Sequence, residues 1–229
     1  MDTKALGEFY KDKLLNEVEP FWFPRSLDTV NGGLYHCCAA DGTLVDTDKN
    51  VWAQGRMAWM LLTCYNSIEK RPEWMTYAES ALKFLEEKCV DPTDGRMYFH
   101  MTADGTPIRK RRYAYSECFA AIAWAAHYGA TGDAKSAERA RHWFDIYADI
   151  FFTPGKMAPK STGKRPGEKF RPSESLHGLC PPPGGPAAVN VVLPQKFVDM
   201  AHRRGAVAAP VPMKNAVFVD LANVRIIRL

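Results

Sequence analysis

The chain has 229 residues, 46% hydrophobic and 12% aromatic, enough for one large domain or two small ones with a substantial core. No apolar run reaches the ~18 residues of a membrane-spanning helix, and the charged, amphipathic start MDTKALGEFYKDKLLNEVEP lacks the apolar stretch of a signal peptide, which points to the cytoplasm. The six cysteines form no C-x-x-C pair, which reads as reduced core thiols with no metal site, and the basic residues behind the net charge of +4 lack the aromatic interleaving of a nucleic-acid surface.

In chain order, residues 3–19 read as an amphipathic helix. Residues 31–43, NGGLYHCCAADGT, read as a short strand, an Asp-Gly turn and a return strand. From Val51 a helix follows that is apolar almost all round, VWAQGRMAWMLLTC. Pro72 opens an amphipathic helix with Trp74, Tyr77, Ala78, Ala81, Leu82 and Leu85 on one side and Glu73, Glu79, Lys83 and Glu87 on the other. Residues 94–106, DGRMYFHMTADGT, then repeat the first hairpin at an offset of 63 without a gap. The next helix, from about Tyr115, is again apolar. Gly132 closes it and Asp133 caps another amphipathic helix, in which AERARHWFD (137–145) echoes AESALKFLE (78–86) at an offset of 59.

A repeat of this length implies stacked units that bury one another's apolar faces. All-round apolar helices need neighbours on every side, whereas amphipathic ones need a neighbour on one side only. The expected architecture therefore has two layers, with five helices up to Thr153 in the order outer, inner, outer, inner, outer.

Arg56 stands out in this scheme. A buried guanidinium costs several kcal/mol unless it is paired, and the residue aligned with it at the 63-residue offset is Phe119, so the fold itself needs no charge there. Either Arg56 pairs with a carboxylate such as Glu117 on the next inner helix, or it faces a site. Trp52, one turn earlier, reads as a pocket wall or as packing. Tyr113 and Tyr115, at the start of the second inner helix, read as hydroxyl donors to a ligand or as core, and Lys160 as a group at a pocket mouth or a solvated loop lysine.

The last third differs in character. Residues 154–229 hold 12 Lys+Arg against 4 Asp+Glu, 11 of the 16 prolines and three aromatics, none of them Trp or Tyr. A third inner helix is due near residue 177, where the chain reads LHGLCPPPGGPAAV, and three consecutive prolines forbid a helix interior. The division therefore falls at 166/167. The expectation for 167–229 is an irregular tail, out of frame after a frameshift near Gly167–Arg171 in a truncated product.

WFPRSLDTVNGGLYHCCAADGTLVDTDKNVWAQGRMAWML (22–61), RRYAYSECFAAIAWAAHYGATGD (111–133) and PGKMAPKSTGKRP (154–166) resemble the N-acylglucosamine 2-epimerase and cellobiose 2-epimerase family over about residues 5–166. The resemblance implies an all-α fold, an (α/α)6 toroid, present here as an incomplete N-terminal portion of about five helices plus short hairpins. It implies inversion at C2 of a reducing-end sugar through an enediolate-like intermediate, with no cofactor, and allows a homodimer. The family's arginine falls on Arg56, which it casts as the stabiliser of the anion. Trp52, Tyr113, Tyr115, Glu117 and Lys160 then become candidate sugar contacts. Proton abstraction beside a carbonyl also calls for a base near working pH, usually histidine. None of His36, His100, His127 and His142 holds an inner-helix position beside Arg56, and the family's catalytic histidines belong to later inner helices. This polypeptide alone is therefore expected to lack 2-epimerase activity, and five helices that cannot close a ring are expected to leave an apolar flank of the inner layer open to water. The competing classes are an α/α-toroid glycoside hydrolase, for which inner-helix carboxylates are scarce, and a non-catalytic sugar-binding or regulatory protein.

Overall fold

The structure, a computed structural model, describes residues 2–157 and the backbone of two strands near the C-terminus. The chain divides into two compact units, Met1–Glu168 and Lys169–Leu229. In the first, α1 (Thr3–Lys13) runs through a π-helical turn (Leu14–Val18) into α2 (Glu19–Trp22) as one rod. Then come β1 (Cys37–Cys38), β2 (Leu44–Asp46) and β3 (Lys49–Asn50), followed by α3 (Val51–Ser67) and α4 (Pro72–Lys88). The second set comprises β4 (His100–Met101), β5 (Pro107–Arg109), α5 (Tyr115–Thr131) and α6 (Ala134–Phe152).

The five helical rods agree with the sequence reading, and α3 to α6 show the expected layering. Helix α3 packs on α4 and α5, and α5 on α3 and α6. Nine residues of α5 are buried, as a helix enclosed on both flanks requires. Gly55 sets the close approach of α3 to α5, because a Cβ there would lie 2.9 Å from the Phe119 carbonyl carbon. At the opposite ends of these helices, Asn66 Nδ2 donates to the Ala126 carbonyl at 2.9 Å. Outer and inner layers are pinned by polar side chains. His127 on α5 bridges Ser136 Oγ on α6 (2.9 Å) and Glu79 Oε1 on α4 (3.3 Å). Trp143 on α6 donates its indole N–H to Glu86 on α4 at 2.9 Å.

The 63-residue repeat recurs bond by bond. Tyr35 N–H donates to Ser26 O and Tyr98 N–H to Cys89 O; Ala39 N–H donates to Thr43 O and Thr102 N–H to Thr106 O. Leu27 bridges Leu34, and Val90 bridges Met97. Asp28 Oδ1 accepts from Val30 N–H and Asp91 Oδ1 from Thr93 N–H, both at 2.9 Å. The turns Asp41-Gly42 and Asp104-Gly105 use a left-handed glycine, at φ 86° and 93°. The sequence pattern gives no sign of one pairing: β3 pairs with β4, Lys49 opposite Met101 and Asn50 opposite His100, so the two hairpin repeats share one three-stranded sheet.

Two expectations need correction. Arg56 is exposed on α3 rather than buried, and the fully buried cation is Lys49, seven residues earlier. Its ammonium meets Asp28 Oδ2 at 2.6 Å and the carbonyls of Gly32 and Ala103 at 2.7 and 2.8 Å, so each of its three N–H groups has an acceptor. Secondly, exposed apolar surface is not confined to the inner layer, where Tyr128 on α5 is exposed. On α3 the large apolar side chains Met57, Trp59 and Met60 are half-buried, whereas Leu6, Phe9 and Tyr10 on α1 and Phe151 and Phe152 at the end of α6 are exposed. Helix α1 buries no side chain.

The second unit contributes an antiparallel pair, β6 (Val217–Asp220) and β7 (Arg225–Arg228), with Val217 opposite Arg228 and Asp220 opposite Arg225. Over these eight residues the expected irregular tail is a hairpin; the rest of the tail, and the site expected for a third inner helix, lie outside the described residues.

Candidate active site

Helix α3 divides its residues between two faces. Val51, Gln54, Gly55, Ala58, Leu61 and Leu62 are buried against α4 and α5. Trp52, Arg56, Trp59, Met60 and Thr63, at i, i+4, i+7, i+8 and i+11, form the other face and are half-buried or exposed. Arg56 makes no hydrogen bond or ion pair with any other described residue.

Three of the predicted site residues come together where α3 and α5 begin. The Trp52 ring meets Tyr115 edge-on at 5.1 Å, and Tyr115 meets Tyr113 at 5.6 Å. Phe99, from the second hairpin, closes on Trp52 at 5.1 Å. Burial raises the Tyr115 hydroxyl pKa, with Tyr113 and Cys118 adding to the rise, so Tyr115 stays a neutral donor at physiological pH. Asn50 caps α3 by accepting from Trp52 N–H at 2.9 Å, which orients the first turn and with it the indole.

Glu117 is buried in the first turn of α5. Its Oε1 accepts from the Met97 amide at 3.2 Å and from Arg96 Nε at 3.3 Å. Burial raises its pKa, opposed by its own backbone amide, by Arg96 and by the Met97 amide. The partner open to Arg56 in sequence terms is therefore held by another arginine. Lys160 lies outside the described residues.

Several neighbours escaped the sequence reading. The Arg112 guanidinium lies 5.1 Å from the Trp52 ring centroid and 5.4 Å from that of Phe99, a cation over two aromatic faces. His36, in the first hairpin, feels both His100 and Asp46. Burial pushes its pKa down to about 4, His100 pushes the same way, and Asp46 opposes them. The alignment of His36 with Phe99 was legible, but the pairing of β3 with β4 that brings the hairpins together was not. Among the described residues no group of three or more His, Cys, Asp or Glu is placed to hold a metal ion, and no helix is long and apolar enough to cross a membrane.

A cleft of about 950 Å³ opens elsewhere, lined by Glu86, Asp94, Arg96, His142, Asp149 and Lys156 among others. It lies along α6 and the 90–96 turn, away from Trp52 and Arg56, with Trp143, Ile146 and Ile150 on its wall and Asp94, Asp145, Asp149 and Lys156 exposed around it.

Known proteins share this architecture. The chain is 28% identical to the N-acylglucosamine 2-epimerase of Bos taurus over 204 residues, which cover 86% of this chain and 43% of that protein. At 86% of 229 residues the match runs past residue 166 into the tail that composition sets apart. A crystal structure of a sugar epimerase from a ruminal bacterium superposes with a TM-score of 0.55 at 28% identity, over 62% of this chain and 36% of that one. The cellobiose 2-epimerase of Bacillus thermoamylovorans B4167 gives a TM-score of 0.60 over 71% of this chain and 42% of that one, at 23% identity, a likeness of fold alone. The chain thus spans less than half the length of these relatives. The family described as N-acylglucosamine 2-epimerase (GlcNAc 2-epimerase) matches residues 33–177, well over half of the sequence, and the chain belongs to that family.

Proposed function

We propose that this chain carries the anion-stabilising part of a sugar 2-epimerase or isomerase site, acting on a reducing-end sugar such as an N-acyl-hexosamine or a glucose unit. One observation carries the reading: Arg56 is an exposed cation one turn from Trp52, and the carboxylate that offered the structural explanation, Glu117, is engaged by Arg96 and Met97. Removing the proton at C2 puts negative charge on the neighbouring carbonyl oxygen. A guanidinium placed beside that oxygen lowers the barrier by meeting the charge as it develops. Trp52, Tyr113 and Tyr115 supply flat faces and two phenolic hydroxyls for a sugar ring. Lys160, outside the described residues, belongs to the same proposal as a candidate sugar contact.

The proposal divides the chain at residues 166/167, and translation of the other two frames downstream of Gly167 tests that division: family-like helices in neither frame would end the frameshift idea. It also expects sugar binding without C2 inversion by this polypeptide alone, since the base belongs to other inner helices. A thermal-shift titration with reducing sugars and their reduced alditols tests binding, because a ligand at 100 times its Kd stabilises the folded state by about 2.7 kcal/mol. A shift with the reducing sugars is expected, and no shift with any of them contradicts the reading. Conversion of N-acetylglucosamine to N-acetylmannosamine by the pure chain would overturn the assignment of the base elsewhere.

A further inference from the structure

Tyr113 is the one non-glycine with positive φ among the described residues, at 53°. A bulky residue avoids this region, and such outliers persist where surrounding structure holds them. The holder is identifiable. Arg96 donates from Nη2 to the Tyr113 carbonyl at 3.1 Å and from Nε to Glu117 Oε1 at 3.3 Å. Glu117 is 1% exposed and also accepts from the amide of Met97, next to Arg96 in the chain. One planar guanidinium thus ties a buried carboxylate at the start of α5 to the backbone that leads into that helix.

The first repeat provides an internal control. At the 63-residue offset, Arg96 corresponds to Gly33, Glu117 to Gln54 and Tyr113 to Asn50. Gln54 performs the conserved task alone: its Oε1 accepts from Leu34 N–H at 2.8 Å, as Glu117 accepts from Met97. No arginine is present, and Asn50 keeps an ordinary φ of −80°. The scaffold bond therefore needs neither the charge nor the arginine. What the second copy adds is the pair Arg96–Glu117, and what accompanies it is the left-handed Tyr113.

We propose that Arg96 is a positioning residue for sugar recognition: it holds the Tyr113 backbone in its left-handed conformation and so fixes the Tyr113 ring against Tyr115 beside Trp52. This rests on the reading of Tyr113 as a sugar contact. Without the clamp, residue 113 relaxes to negative φ and its ring leaves the edge of Tyr115.

The test copies the first repeat into the second with the double variant Arg96→Gly, Glu117→Gln, and uses Arg96→Lys as a milder second variant. The ammonium of the latter keeps its charge near Glu117 but lacks the fork that reaches both partners. The intraresidue amide-to-Hα NOE of residue 113, strong only at positive φ, is measured by NMR in the full chain. It is expected to be strong in the unaltered protein and weak in the variants; an NOE equally strong in the variants overturns the clamp. Calorimetric titration with N-acetylglucosamine is the second readout. The double variant is expected to lose about tenfold in affinity, Tyr113→Ala a similar factor, and the combined variant no more than either. Additive losses, or unchanged affinity once the backbone has relaxed, overturn the positioning role. Failure of the unaltered chain to bind any sugar counts against the functional reading, and the NOE then decides the clamp by itself.

Discussion

The two copies of the hairpin-and-helix unit, about residues 27–67 and 90–131, share a backbone to the level of single hydrogen bonds yet differ in how they hold charge. In the first, the buried carboxylate Asp28 meets one fully buried cation, Lys49, at 2.6 Å. In the second, the aligned Asp91 meets two, Arg111 and Lys110, each at 2.9 Å, and the lysine is 52% exposed. Burial pushes both carboxyls up. Hydrogen bonds overcome it and hold both well below the usual carboxylate range: from Lys49 and the Asn31 and Val30 amides in one, and from Thr93, Lys110 and Arg111 in the other. Bonds that repeat, such as Gln54 to Leu34 and Glu117 to Met97, belong to the scaffold. Positions that diverge, such as Arg56 against Phe119 and Tyr113 against Asn50, mark what each copy contributes separately.

The largest expected effect breaks that asymmetry. Lys49→Met leaves Asp28 buried beside two carbonyls without its cation, and urea unfolding should show a loss of about 3–5 kcal/mol. A loss below ~1 kcal/mol would mean that Asp28 finds water or another donor. The second test makes the copies alike. His36 has a folded-state pKa near 4 against about 6.5 unfolded, so the unfolded chain takes up the proton first as pH falls. Its contribution is complete above pH ~6.5 and is lost on the way down to ~4, about 3 kcal/mol in all. His36→Phe installs the residue found at the aligned position 99 and should flatten that limb of the stability–pH curve; a limb of unchanged slope contradicts the assignment. Gly55→Ala probes the α3–α5 contact, where the added carbon meets Phe119 backbone, and overpacking should lower stability by about 1–3 kcal/mol. Lys110→Met should cost less than ~1 kcal/mol, because that lysine is half exposed and Arg111 remains on Asp91.

Much of the fold was legible because its signals are local and repeated. The Asp-Gly turns, the capping Asp133 and the contrast between apolar and amphipathic helices each follow from residues close in sequence. The candidate site was legible only in part. Trp52, Tyr113 and Tyr115 do gather, since all three stand at the starts of neighbouring helices. In sequence, Arg56 reads as buried because an apolar helix implies enclosure all round, whereas α3 packs on two neighbours and leaves the Trp52–Arg56 face partly open. The most deeply buried cation among the described residues, Lys49, lies at a strand end where no periodicity marks it. Its partners are 17, 21 and 54 residues away in sequence, and only the pairing of β3 with β4 brings the last of them close. Arg96 escaped notice for the same reason: its role depends on a backbone angle at residue 113 that no residue type announces.

The proposed role of Arg56 is to meet an anion on the sugar. An open-chain aldonate such as 2-acetamido-2-deoxygluconate places a carboxylate where the enediolate would carry its charge, while the matching alditol is neutral. Calorimetric titration of both ligands into the unaltered chain and into Arg56→Gln distinguishes the two cases. The unaltered chain is expected to bind the aldonate at least about tenfold more tightly than the alditol, a difference of about 1.4 kcal/mol, and the difference is expected to disappear in the variant. Equal affinities for the two ligands in the unaltered chain, or a preference that survives in Arg56→Gln, would contradict it.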